Sequence, residues 1–228
     1  MRRMNQHLIM VLVPLLLHVA APWCWAGVQE GYNAYSRGDY ATALHEWLPL
    51  AQQGDAPAQY NLGLMYLKGQ GVSQDFGQAM QWFRRAADQG DAPAQYNLGL
   101  MYTNGRGVPQ NSAEALRWYR RAADQGHADA QATLGLMYYL GQGAPQDFVQ
   151  AYFWLTLAAA LFPPGTEYDG AVRARDYVVQ EMTPSQLAQG QALARTWQPK
   201  PETPGALPSP STPPSQPQEG AAPDRRTR

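Results

Sequence analysis

The chain carries few residues that could do chemistry. Its one cysteine, Cys24, and two of its four histidines lie within the first 26 residues. The rest of the chain keeps His45 and His127, each read as an ordinary helical position. Neither has a second histidine at helical spacing or an acidic cluster beside it, so a metal site has no ligand set. Asp55 and Asp91 stand where helices should begin, and capping accounts for them. No serine, histidine and aspartate come together as nucleophile, base and orienting acid. Three Gly-x-Gly segments, Gly69-Gln-Gly71, Gly105-Arg-Gly107 and Gly141-Gln-Gly143, resemble phosphate loops only on paper. No strand precedes them and no Lys-Ser/Thr follows, so they read as turns. The expectation is a protein without catalytic residues, metal or cofactor.

Charge narrows the partner class. Lys plus Arg number 17 and Asp plus Glu 18, a net charge of -1, which offers no basic face for nucleic acid. The pairs Arg84–Arg85 and Arg120–Arg121 read as solvated helix faces.

The elements that hold these residues follow from a repeat. Gly54-Asp-Ala-Pro-Ala-Gln-Tyr-Asn-Leu-Gly-Leu-Met-Tyr66 recurs unchanged as Gly90 to Tyr102, and altered as Gly126 to Tyr138. A second signature keeps the same 36-residue register: Ala79 with Trp82, Ala115 with Trp118, Ala151 with Trp154. Each period predicts two helices. In the first, Ala58, Leu62, Met65 and Tyr66 form one apolar stripe, and Gly63, Gly99 and Gly135 mark a close approach by a neighbouring helix. In the second, Phe76, Ala79, Trp82, Phe83 and Ala86 face inward, with Gln81, Arg85 and Asp88 outward. Asp75 with Gln78, Asn111 with Glu114 and Asp147 with Gln150 have capping-box spacing.

The ends differ from the middle. Arg2 and Arg3, the apolar run Leu8–Leu17 and a small residue at Ala26 predict a signal peptide over 1–26, cleaved before Gly27. The run is too short for a membrane span of about 20 residues, so no integral membrane segment is expected after cleavage, and the cleaved chain would hold no thiol. Nine of the 30 residues over 199–228 are proline, which predicts a disordered tail. The folded body is then 27–198: a half-degenerate repeat at 27–53, repeats at 54–89, 90–125 and 126–161, and capping helices within 165–198. The last pair is read as a helix over 167–181 and one opened by Thr183-Pro-Ser-Gln186. Such a cap is needed because Thr156 and Leu157 replace the arginine pairs, and an array needs atypical ends.

The sets Ala-x-Ala-x-Tyr-Asn-Leu-Gly-x-Met-Tyr, Gly-x-Gly-Val and Ala-x-x-Trp-Tyr/Phe-x-x-Ala-Ala-x-x-Gly closely resemble the Sel-1-like repeat family, a branch of the tetratricopeptide-like helical repeats. The resemblance covers 54–161 specifically and the flanks more loosely. It implies an all-α, right-handed solenoid of stacked antiparallel helix pairs with a concave inner face. It also implies an adaptor or scaffold role, in bacteria often in the envelope. Some secreted relatives carry one disulfide per repeat and are linked to penicillin binding; a cleaved chain without cysteine gives no ground for that activity. The expected function is an exported scaffold, periplasmic or secreted, that binds a protein or peptide on the concave face. A row of Tyr60, Asn61, Leu64, Tyr96, Asn97, Leu100, Thr133 and Leu136, with Ala132 in register, points away from the core stripe and suits an extended peptide. The alternative is an envelope glycan- or peptidoglycan-binding or -processing protein.

Overall fold

The structure, a computed structural model, describes the backbone of residues 22–202 and the side chains of 27–202. Residues 1–21 of the expected signal and 203–228 of the expected tail lie outside the described residues. The described chain is ten α-helices: α1 (Pro22–Ser36), α2 (Tyr40–Gln52), α3 (Ala56–Lys68), α4 (Phe76–Asp88), α5 (Ala92–Asn104), α6 (Ser112–Asp124), α7 (Ala128–Leu140), α8 (Phe148–Leu161), α9 (Thr166–Gln180) and α10 (Pro184–Thr196). No strand occurs among the described residues. From α1 to α9 each helix packs on the one before and the one after, and α10 returns to pack on α8. This is an all-α solenoid of helix pairs.

The helices start and stop where their residues require. Asp55, Asp75, Asp91 and Asp147 each accept a bond of 2.7–3.0 Å from the backbone N–H three residues on, satisfying a donor that the first turn leaves free. The expected capping boxes are one-sided, however. The complete reciprocal pair occurs at Thr183 and Gln186, where Thr183 N–H donates to Gln186 Oε1 at 2.9 Å. Glu114 turns instead to Arg117 of its own helix, 2.6 Å away, because a guanidinium within reach outbids one backbone N–H.

The 36-residue register is fixed by shape as well as by polarity. A Cβ on Gly63 would fall 2.6 Å from the Phe83 ring, on Gly99 2.5 Å from the Tyr119 ring, and on Gly135 2.7 Å from Leu155 Cγ. The close approach read from the sequence is therefore the second helix of the same pair, which lays a large side chain flat on the first. Gly107 serves a different contact: at φ 76 it sits in the left-handed region, and a Cβ there would lie 2.7 Å from the carbonyl oxygen of Phe76. The Gly-x-Gly turn thus seats each pair on the start of the preceding pair's second helix.

At the ends, Trp47 is buried and donates its indole N–H to Val28 O at 3.1 Å, tying α2 to α1. α1 begins at Pro22, so cleavage before Gly27 would leave Gly27–Ser36 of it. At the far end Leu157, in place of an arginine, is buried in a cluster against which Ala194 and Trp197 pack. The packed chain also runs four residues past the boundary expected at 198. Lys200 N–H donates to Asp124 O at 2.8 Å, and Glu202 meets Arg121. Residues 199–202, expected from composition to begin the tail, thus lie against the body through Lys200 and Glu202. Two prolines hold this stretch extended at little entropic cost, and a half-buried guanidinium awaits its carboxylate.

The glycine reading predicts opposite outcomes for one substitution at two helical sites. Gly99→Ala drives a Cβ into the Tyr119 ring and should cost about 1–3 kcal/mol. Gly170→Ala, in α9 with nothing within 4 Å of the new Cβ, should gain up to about 1 kcal/mol. Urea unfolding of the two variants checks both signs.

Candidate functional site

The predicted row lies on the first helices, and most of it is half-buried rather than open. Tyr60 and Leu64 pack on the cluster of Ala79, Phe83, Leu98 and Met101, with the Tyr60 ring 5.8 Å from that of Phe83. Tyr96 and Leu100 do the same one repeat on, against Tyr119 and Met137. Asn61 and Thr133 are half-buried, and Asn97 donates to Pro93 O of its own helix at 2.9 Å. Burial pushes the Tyr60 phenol up, the Asp91 carboxylate pushes it further, and Asn97 acts the other way. Tyr96 is likewise raised by burial and by Asp129, with Thr133 opposing. Much of each ring therefore serves the joint between repeats, and a partner would meet its edge. The row opens at its far end, where Leu136 and, one turn on, Leu140 are 42% and 58% exposed.

A second set of residues converges on the edge formed by the turns from second helix to next first helix. Gln59, Gln95 and Gln131 are buried there. Each donates Nε2 to the carbonyl eight residues earlier, on Ala51, Ala87 and Ala123, at 3.0–3.1 Å. Gln89 and Gln125, the helix C-caps, then donate to Gln59 Oε1 and Gln95 Oε1 at 2.8 Å. Leu161 stands where the next such cap would be, and Gln131 Oε1 is buried without a partner.

Over this ladder lie the arginines. Arg85 stacks on the Trp82 indole of its own helix at 4.4 Å, and Arg121 on Trp118 at 4.6 Å. Arg84 and Arg120 reach forward, over Trp118 and Trp154 of the next repeat, at 4.8 and 5.3 Å. The arginine pairs are thus not merely solvated, which corrects the reading from charge alone. One member braces its own repeat and the other the next, through cation–π contact. The Trp-x-Arg-Arg spacing held half of that signal, since the residue three beyond a tryptophan lies beside its ring on a helix.

Arg121 also holds the returning chain. Its Nε and Nη2 donate to Glu202 Oε1 and Oε2 at 2.9 and 2.7 Å, while Nη2 reaches Ala87 O at 3.2 Å. Gln95 Nε2 gives its second hydrogen to Glu202 Oε2 at 2.8 Å. The arginine side chain is 13% exposed and the glutamate 21%. A two-pronged, partly dehydrated pair of this kind is among the stronger polar contacts a surface offers.

Of the two histidines, His45 is exposed. His127 is not the ordinary helical position expected: it is the N-cap of α7, at the repeat position of Asp55 and Asp91. Its Nδ1 accepts from Ala130 N–H at 3.3 Å, and its ring stacks on Tyr96 at 4.8 Å. Burial lowers its pKa, with Asp129 opposing. Among the described residues no group of three or more His, Cys, Asp or Glu could hold a metal ion, and no helix is long and apolar enough to cross a membrane. Tyr119, whose phenol burial pushes up to about 12, sits in the core and bonds Thr103 at 3.0 Å.

Stacked helix pairs with glycine–ring joints define a helical repeat protein, and comparison gives the repeat its family. The Sel1 repeat model matches residues 56–91, 92–127 and 128–161. Two crystal structures of Sel1-type proteins superpose on the chain. A Sel1 repeat protein from Oxalobacter formigenes is 29% identical with a TM-score of 0.61, over 73% of this chain and 68% of that one. The antigen c5321, described as protective and present in uropathogenic Escherichia coli strains, has an SLR fold. It is 28% identical with a TM-score of 0.51, over 75% of this chain but 44% of its own length. Residues 56–161 of the chain are thus three Sel1-like repeats. A search of curated proteins returned no match.

The N-cap histidine generates a pH test. A cap that must accept an N–H needs neutral imidazole, and a cation at a helix N-terminus is unfavourable. With the folded pKa below the unfolded value of about 6.5, the stabilisation is whole above that pH and is lost as pH falls toward the folded pKa. His127→Asn keeps an acceptor and removes the titration. Between about pH 7.5 and pH 5.5, the urea midpoint of the unsubstituted chain should fall relative to that of His127→Asn. Parallel midpoints would refute the capping role.

Proposed function

We propose that the chain is an exported interaction scaffold, periplasmic or secreted, which binds a partner protein or peptide along its first-helix face and performs no catalysis. Sel1 repeat proteins are in general protein-interaction scaffolds, and that coarser statement holds for this chain. The observation that carries the finer one is the polarity of the Tyr–Asn–Leu row. Each ring or leucine is half-spent on the joint with the next repeat, until the row ends in Leu136 and Leu140. Half-buried aromatic and amide groups, fixed by their own packing, form a pre-organised surface on which an extended peptide loses little in ordering the receptor. Export rests on the charged, apolar and small-residue sequence of 1–26.

Two measurements test this. Photocrosslinkers placed in cells at Asn97 and at Arg117, an exposed outer position, should label differently, with a discrete adduct from Asn97 and none from Arg117. Leu136→Asp should lower the Asn97 yield several-fold while leaving the melting temperature within a few degrees, since surface changes of this kind cost little. Equal labelling from both positions would remove the case for the first-helix face. A retained N-terminus, seen by mass spectrometry of the intact protein, would remove the case for export.

A further inference from the structure

Glu202 fills a site that the repeat makes twice. Shifting its surroundings back by 36 residues maps Gln95 to Gln59, Arg121 to Arg85, Gln125 to Gln89, the carbonyl of Ala87 to that of Ala51, and Gly90 to Gly54. The earlier set is already arranged. Gln59 is 4% exposed, donates to Ala51 O and accepts from Gln89. Arg85 stacks on Trp82 at 4.4 Å, as Arg121 does on Trp118 at 4.6 Å.

What differs is the ligand. Gln95 Nε2 makes two bonds, one of them to the Glu202 carboxylate; Gln59 Nε2 makes one among the described residues, leaving a buried N–H unused. A Cβ on Gly90 would sit 3.3 Å from Glu202 Cβ, whereas nothing lies within 4 Å of one on Gly54. Arg85 has no carboxylate partner among the described residues and does not reach Ala51 O. One repeat later the site is dismantled: Leu157 replaces the arginine, Leu161 replaces the glutamine cap, and Trp197 with Pro199 lies against Gly126. Among the described residues the first junction, at Arg85, thus stays unfilled, the second is filled and the third is closed.

We infer that the Arg85–Gln59 junction is a binding site for a glutamate or aspartate side chain on an extended, proline-flanked peptide of a partner protein, held as Glu202 is held at Arg121. The guanidinium supplies the two-pronged contact and the buried amide fixes the carboxylate oxygen. The open space over Gly54 lets the peptide backbone lie close. The chain's own continuation is out of register. The next acid after Glu202 is Glu219, whereas one repeat of about 10 Å is spanned by roughly three extended residues. This edge is separate from the first-helix face, so its test is independent of the one above.

The test uses the full chain and a fluorescein-labelled peptide copying residues 197–202, followed by fluorescence anisotropy. Saturable binding is expected, at least tenfold weaker for Arg85→Gln and for a peptide carrying Gln in place of its Glu, and unchanged for Arg117→Gln. Because Arg85 is exposed, the variant should fold; the Gln peptide probes the same contact on the unsubstituted chain. Binding that ignores Arg85→Gln would place the peptide at Arg121 by exchange with the tail and overturn the proposal. So would equal affinity for the Glu and Gln peptides, or no saturation at millimolar peptide.

Discussion

The arrangement depends on a buried amide at each joint between repeats. A glutamine with no access to water must find partners for one acceptor and two donors, and leaving one unmet costs about 1–3 kcal/mol. Gln95 meets this demand with the end of the preceding second helix at Ala87, the cap of the following one at Gln125, and the returning chain at Glu202. Three segments far apart in sequence are fixed by one side chain. Apolar packing alone would tolerate some sliding between helix pairs; the amide does not, while the glycine contacts fix the register within each pair.

That constraint also shapes what the surface can do. The glutamine must lie near the turn edge to reach both helix ends, so the edge carries a row of buried amides at 36-residue intervals. Arginines three residues beyond a tryptophan are held over that row by their own indoles. A structural device thereby yields a carboxylate receptor as a by-product. Whether a junction is open or closed is decided by two positions: Arg85 with Gln89, or Arg121 with Gln125, leaves it open, and Leu157 with Leu161 closes it.

Much of this was legible in the sequence. The period, the helix pairs, the glycine close approaches and the terminal caps follow from local pattern, because each has one physical meaning at its position. The less legible parts depend on which of two available partners a polar side chain takes. Glu114 has capping-box spacing yet pairs with Arg117. Asn97 bonds its own helix rather than standing free, and Tyr60 and Tyr96 lay their rings on Phe83 and Tyr119 of their own pairs, Tyr96 also on His127 of the next repeat. His127 is a cap that only its alignment with Asp55 and Asp91 discloses. The clamp on Glu202 could not be read from composition: a proline-rich stretch announces disorder, and one glutamate cancels that only where a guanidinium is already placed.

The most direct test of the amide joint compares two substitutions of the same chemistry. Gln95→Leu strands the cap amide of Gln125 and the Ala87 carbonyl and frees Glu202, whereas Gln131→Leu strands the Ala123 carbonyl alone, the Gln131 oxygen having no partner among the described residues. In urea unfolding Gln95→Leu should be the more costly of the two by about 1–3 kcal/mol. Equal losses at the two positions, or a larger one at Gln131, would contradict the account.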